Sequence, residues 1–263
     1  MMNPALPAWP DQVMLLGIAT ARIAAAFMLI PLFSPETIPA MVRNSILIAL
    51  GLVSLSLQPQ LPAATLGAFQ WAAMFLKEIF VGLTIGFFFG TVLWALEAAG
   101  QIIDTKVGAT MAQVVDPLSG HQTSLNGAFL GRLANVVFIF SGGLSLLVGV
   151  LIESYAYWPI SASLPRLDPQ GLPLFEQEFG RLMVLATLFA APILTILFII
   201  DASLGLVNRF AQQLNVFALS MSIKSIAATA ILLLLVGSFV EAVMRDILTR
   251  PQTLHALLRG LSP

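Results

Sequence analysis

EIFVGLTIGFFFGTVLW, residues 78–94, is apolar almost throughout and does not alternate. A strand of a membrane barrel would place apolar and polar residues in turn, with a period of two. Here Ile79, Phe80 and Val81, and again Phe87, Phe88 and Phe89, run on consecutively, as in a buried or membrane-crossing helix. Gly82, Gly86 and Gly90 recur at four-residue spacing, which sets them on one stripe of such a helix with Glu78 at its start. Without side chains along that stripe a second backbone can come close, so this face is expected to pack directly on another helix.

The same texture recurs along the chain. Apolar stretches cover 12–33, 46–57, 66–96, 129–152, 182–200 and 226–240. About 20 apolar residues cross a bilayer, so 12–33, 66–96 and 129–152 are long enough, whereas 46–57 and 226–240 are short. Pro31, Pro35 and Pro39 are expected to end the first helix and open the second, because proline fits only a helix's first turn. QPQLPAATLG, 58–67, closes the second, and the proline-rich PISASLPRLDPQGLP, 159–173, is the longest connection. The fold class that follows is all-α, membrane-associated helical hairpins.

Composition agrees. Of 263 residues 58% are hydrophobic and 10% charged, against about 25% charged in soluble domains. The net charge of −1, with no basic run, gives no reason to expect nucleic acid as a partner. There is no cysteine, which excludes disulfides and thiolate chemistry. No Lys or Arg precedes Arg22, so the basic start of a cleavable signal peptide is missing and the first apolar segment is expected to stay in the mature chain. If all six stretches cross, Lys and Arg divide five to four between the two sides, too evenly for loop charge to set orientation. That evenness argues mildly against a simple polytopic protein.

Charge inside the apolar stretches carries more information. Arg22, Lys77, Glu78, Glu97 and Arg132 interrupt them, and an ionised group at mid-bilayer costs about 3 kcal/mol unless paired or solvated. Arg132 fits a helix end from which it snorkels. Lys77 and Glu78 have apolar sequence on both sides and read as inter-helix contacts. Asp201, Gly205 and Arg209 share another stripe; Asp201 and Arg209 are too far apart to pair with each other, so each meets a neighbour or the solvent. Enzymatic constellations are missing: no phosphate-binding G-x-x-x-x-G-K, no nucleophile–base set, and His121 and His255 stand apart without metal-ligand spacing. No cofactor or metal is expected. QIIDTKVGATMAQVVDPLSGHQT, 101–123, sets Asp104, Lys106 and Asp116 among prolines, glycines and amides between two greasy stretches. It is either a solvated loop or a working part beside a polar pathway.

Three stretches taken together resemble the export-apparatus family of type III secretion, FliR in flagella and SctT in injectisomes. They are IPLFSPETIPAMVRNSILIAL (30–50), KEIFVGLTIGFFFGTVLWALEAAGQIIDTKVGATMAQVVDP (77–117) and RFAQQLNVFALSMSIKS (209–225). The likeness runs nearly end to end, and QLNVFALSMSIKS is more similar to the injectisome branch. Ser222 stands where family members often carry proline. The resemblance implies a non-enzymatic subunit of the export gate in the bacterial inner membrane. Its partners would be R-type and S-type subunits in a helical cone, the U-type switch protein, the V-type export gate, rod and needle components, membrane lipid and the secreted proteins in transit. The implied fold is an R-type-like part, 1–175, followed by an S-type-like helical hairpin, 176–263. Lys77, Glu78, Asp201, Arg209 and Lys224 are then expected to make polar contacts between subunits.

A plug projecting into the channel is also implied, and it maps onto TMAQVVDPLSGHQ, 110–122: Thr110, Met111, Ala112, Gln113, Val114, Val115, Asp116, Pro117, Leu118, Ser119, Gly120 and the two residues after them. Asp116–Pro117 and Ser119–Gly120 break a helix, while Met111, Val114, Val115 and Leu118 supply a soft apolar seal. The competing function is a secondary transporter or channel subunit for small solutes, with Glu78, Asp104 and Lys106 along its pathway. An intramembrane enzyme is a third, disfavoured by the missing nucleophile–base set.

Overall fold

The computed structural model describes residues 9–35, 37–56, 67–108, 124–161, 172–210 and 216–261. Every regular element among them is helical, as the unbroken apolar runs require. In chain order they are α1 (Trp9–Leu29), a 3-10 turn (Pro31–Phe33), α2 (Ala40–Ser56), α3 (Ala68–Val107), α4 (Leu125–Phe140), α5 (Gly143–Tyr157), α6 (Leu172–Phe210) and α7 (Val216–Leu261).

Two boundaries differ from the apolar stretches for identifiable reasons. The run 12–33 is cut after Leu29, where the chain tightens into a turn opened by Pro31, so the apolar helix left is Val13–Leu29. The run 129–152 is broken at Ser141–Gly142, with Gly142 in the left-handed region at φ +81. Other helices outrun their apolar stretches. The 40 residues of α3 rise about 60 Å at 1.5 Å each, twice a hydrocarbon core of about 30 Å. The short stretch 226–240 lies within the 46-residue α7. Among the described residues three helices, α3, α6 and α7, are long and apolar enough to cross a membrane, or four spans if α4 and α5 count as one.

By contact the chain groups into two units, one of 1–90, 142–178 and 248–263, the other of 91–141 and 179–247. In the first, α1 packs on α2 and on the N-terminal half of α3. Its core joins Ile18, Ala19, Met74, Tyr155 and Ile160, with Leu55 and Trp71 against them. Phe27 and Phe33 stack face to face at 3.6 Å across the proline turn. In the second unit the C-terminal half of α3 packs with α4, and Phe189 of α6 meets Phe239 of α7 edge to face at 5.6 Å. The most apolar window of α3 is 72% buried, against 28% for α6 and 22% for α7. The most apolar part of α3 is thus covered mainly by the chain itself, while α6 and α7 keep most of their apolar surface uncovered.

Candidate functional site

Two polar clusters stand out, one in each unit. The first begins with the glycine stripe. A Cβ on Gly82 would overlap the carbonyl oxygen of Arg22, and one on Gly86 would sit 2.6 Å from that of Ala26. Helix α1 therefore lies directly on this face of α3; Gly90, two turns beyond Gly82, is buried as well. The close approach brings the Arg22 side chain to Glu78, one turn before Gly82. Arg22 donates from Nε to Glu78 Oε2 at 2.7 Å and from Nη2 to Oε1 at 3.0 Å. Its Nη1 donates to Ser154 Oγ and its Nη2 also to the Trp158 carbonyl, both at 2.8 Å. The Tyr155 ring lies 3.8 Å from the guanidinium, a stacking site that lysine's ammonium would fill poorly.

Lys77 completes this cluster, donating from Nζ to the carbonyls of Pro159 at 2.7 Å and Ile160 at 2.8 Å, with Glu78 Oε1 at 3.2 Å. Arg22 and Glu78 side chains are 0% exposed and Lys77 1%. One carboxylate thus faces two cations. The remaining positive charge rests on carbonyls just beyond the C-terminus of α5, the negative end of that helix's dipole. Fully hydrogen-bonded in this way, the network escapes the penalty of an unpaired buried ion.

The second cluster surrounds the C-terminal turn of α3. Asp104, 6% exposed, accepts from Ser124 Oγ at 2.5 Å, from the Asn126 backbone N–H at 2.9 Å and from Asn126 Nδ2 at 2.6 Å. Ser124 in turn caps α4 by accepting from the Gly127 N–H at 3.0 Å. The Asp104 carbonyl accepts from the Gly108 N–H at 3.1 Å. The Gly108 N–H is shared with the Thr105 carbonyl at 3.2 Å, so Gly108 closes the last turn of α3. The Asp104 side chain holds Ser124, and the residues on either side of 109–123 are thus both anchored at this turn. Gly108 has φ +95, a conformation that ends helices and favours glycine. Helices α3 and α4 meet closely here: a Cβ on Gly100 would lie 2.5 Å from the Asn126 backbone.

Further contacts seat this turn on the hairpin helices. Asp201 of α6 bridges Lys106 at 3.1 Å and Lys224 of α7 at 3.0 Å, and Lys224 Nζ also donates to the Lys106 carbonyl at 3.2 Å. Met221, one turn before Lys224, lies against Gly108. Lys106 is 41% exposed and Asp201 30%, so their pair contributes about 0.2–1 kcal/mol as exposed pairs do, whereas the Lys224 side chain is only 11% exposed. Each hydrogen bond to the buried Asp104 carboxylate contributes about 1.5–3 kcal/mol.

Sequence reasoning expected Lys77, Glu78, Asp201 and Lys224 to make contacts between subunits; within the chain Glu78 meets Arg22 and Lys77, Lys77 also meets the carbonyls of Pro159 and Ile160, and Asp201 meets Lys106 and Lys224. Arg209 lies exposed near the end of α6. Arg132 is also exposed, and the Glu97 side chain lies beside Gly131. The expected plug, Thr110–Gly120, falls outside the described residues. Among the described residues three ion pairs escaped sequence reasoning: Glu241 with Arg245 one turn on in α7 at 2.8 Å, and, between α6 and α7, Arg250 with Glu178 at 2.5 Å and Arg181 with Asp246. The signal for the latter two was opposite charges flanking the stretches 182–200 and 226–240, which an antiparallel hairpin would bring together. Among the described residues no group of three or more acidic or histidine side chains is placed to hold a metal.

A family model described as bacterial export proteins, family 1, matches residues 13–249. The chain is 34% identical over 214 residues to Yop proteins translocation protein T of Yersinia pestis, covering 81% of this chain and 82% of that protein. It is 33% identical over 227 residues to the secretion system apparatus protein SsaT of Salmonella typhimurium, covering 85% and 87%. To the flagellar biosynthetic protein FliR of Bacillus subtilis it is 30% identical over 227 residues, covering 86% and 87%.

Proposed function

Since this chain belongs to family 1 of the bacterial export proteins, the SctT/FliR family of type III secretion in its injectisome-like form, we propose that it forms part of the protein-conducting channel of the export gate. It is a multi-pass protein of the bacterial inner membrane and a component of a secretion apparatus. In this reading it works without catalysis, as a wall and a closure. Its partners are R-type and S-type subunits, the U-type switch protein, the V-type gate and the rod and needle, and secreted proteins pass along it. Residues 176–263 serve as its S-type-like hairpin; the uncovered apolar surface of α6 and α7 supports a role in packing against sibling subunits and lipid.

The observation that carries the reading is the double anchoring at the last turn of α3. A plug needs a fixed base from which a displaceable segment projects, and Gly108 and Ser124 are both anchored at this turn on either side of 109–123. Apolar side chains such as Met111, Val114 and Leu118 suit a reversible seal, since their contacts are non-directional and individually small. A small-solute pathway through Glu78 and Asp104 is less well supported, because both carboxylates are saturated by internal donors.

The test deletes Val114–Gly120 in the complete apparatus. Assembly should stay normal while the membrane becomes leaky to ions or a small impermeant dye. A deletion that assembles normally and leaves the membrane as tight as wild type refutes the plug. Pull-down of the tagged chain should recover R-type and S-type subunits.

A further inference from the structure

The C-terminal turn of α3 is held on its two sides in different ways. Toward α4 the fastening is buried: one carboxylate, Asp104, takes three hydrogen bonds from Ser124 and Asn126. Glycines at 100 and 127 also let the two helices touch, since a Cβ on Gly127 would collide with Ser124 and come 2.9 Å from Gln101. Toward α6 and α7 the holding groups are two ion pairs sharing Asp201, one to the exposed Lys106 and one to Lys224, whose side chain is 11% exposed, with one hydrogen bond from Lys224 to the Lys106 carbonyl and the Met221 thioether against Gly108. None of those contacts needs a unique geometry. A lysine ammonium exchanges a carboxylate for water at little cost when exposed, and methionine adapts to many surfaces.

We propose that Asp201, with Lys106 and Lys224, forms a releasable seat for the α3–α4 junction. In the idle apparatus the C-terminal turn of α3 rests on α6 and α7 through Asp201; during export this turn and the start of α4 lift off together, because the Asp104 fastening outlasts the Asp201 one. Asp201 is a positioning residue, acting on the export path through the end of α3. This inference rests on the gate reading above but concerns only the movement of the junction.

The chain has no cysteine, so spin labels can be placed singly. Thr105→Cys on α3 and Ser225→Cys on α7, both exposed positions, report the seat distance in the complete apparatus, idle or stalled on a substrate. The idle apparatus should give one short distance and the stalled one an added longer population. Asp201→Asn should raise the longer population of the idle apparatus about fivefold, the shift that the exposed Lys106 pair alone can hold back, at unchanged assembly. Asp201→Glu should restore the short distance, as should the triple exchange of Lys106→Glu, Asp201→Lys and Lys224→Glu. A merely structural Asp201 would lower assembly without moving the distances. If Asp201→Asn does not assemble, Lys106→Gln, which keeps the Asp201–Lys224 pair, decides by the same readout. Identical distances in idle and stalled apparatus, or in wild type and variant, overturn the seat. The plug is judged separately by the leak of the Val114–Gly120 deletion; a tight membrane there removes the gate reading and the seat with it.

Discussion

Arg22 and Glu78, 56 residues apart, meet in a two-pronged ion pair with neither side chain exposed. Removing one partner of such a pair strands the other in a low-dielectric interior. Glu78→Ala is therefore expected to destabilise the assembled chain by about 3–5 kcal/mol, since it leaves both Arg22 and Lys77 without a carboxylate. The loss should appear as a lower yield of assembled complex and a lower melting temperature in detergent. Wild-type yield and melting would show that the cluster does not hold α1 to α3.

Gly86 and Gly149 separate close packing from helix propensity. Alanine is the better helix former by about 1 kcal/mol, and among the described residues nothing comes within 4 Å of a Cβ on Gly149. Gly149→Ala should be neutral or stabilising. Gly86→Ala should instead destabilise by about 1–3 kcal/mol, because the backbone of α1 must retreat from Ala26. Equal thermal stability of the two variants would remove the packing claim.

Asp104→Ala strips three acceptor contacts and should cost more than Ser124→Ala. The serine variant loses chiefly a helix cap, about 1 kcal/mol; the aspartate variant leaves buried donors on Ser124 and Asn126 unmet at about 1–3 kcal/mol each. Protease sensitivity near residue 124 measures the difference, and the reverse order would contradict the fastening.

Glu178 and Arg250 pair near the start of α6 and the end of α7. Each single reversal, Glu178→Arg or Arg250→Glu, should lower thermal stability. The double exchange should recover much of it, giving a coupling of about 0.5–3 kcal/mol in a double-mutant cycle. Additive losses would mean that the two charges do not interact.

Much of this architecture is written locally in the sequence. Unbroken apolar runs gave helices, Pro31 gave the end of α1, and glycines at 82 and 86 marked where α1 approaches. Helix ends were harder, because α3 continues through Glu97, Asp104 and Lys106, polar residues that stop an apolar count without stopping a helix. The break at Ser141–Gly142 lay hidden for the opposite reason: small residues within an apolar run leave its hydropathy almost unchanged. Pairing was least legible. Arg22 and Glu78 stand out as charges in greasy surroundings, but only the folded chain shows that they are each other's partners and that Ser154 joins Arg22.

The Arg22 network also constrains how the protein is made. Synthesis delivers Arg22 well before Glu78, and Ser154 follows 132 residues after Arg22. While the nascent chain is short, the guanidinium in the middle of α1 has no counter-ion, and a lone arginine at mid-bilayer is costly. Helix α1 should therefore wait at the translocon or the membrane surface and enter lipid together with α3. A chain truncated at residue 76 is expected to remain extractable by alkaline wash, whereas one carried past residue 161 should resist it.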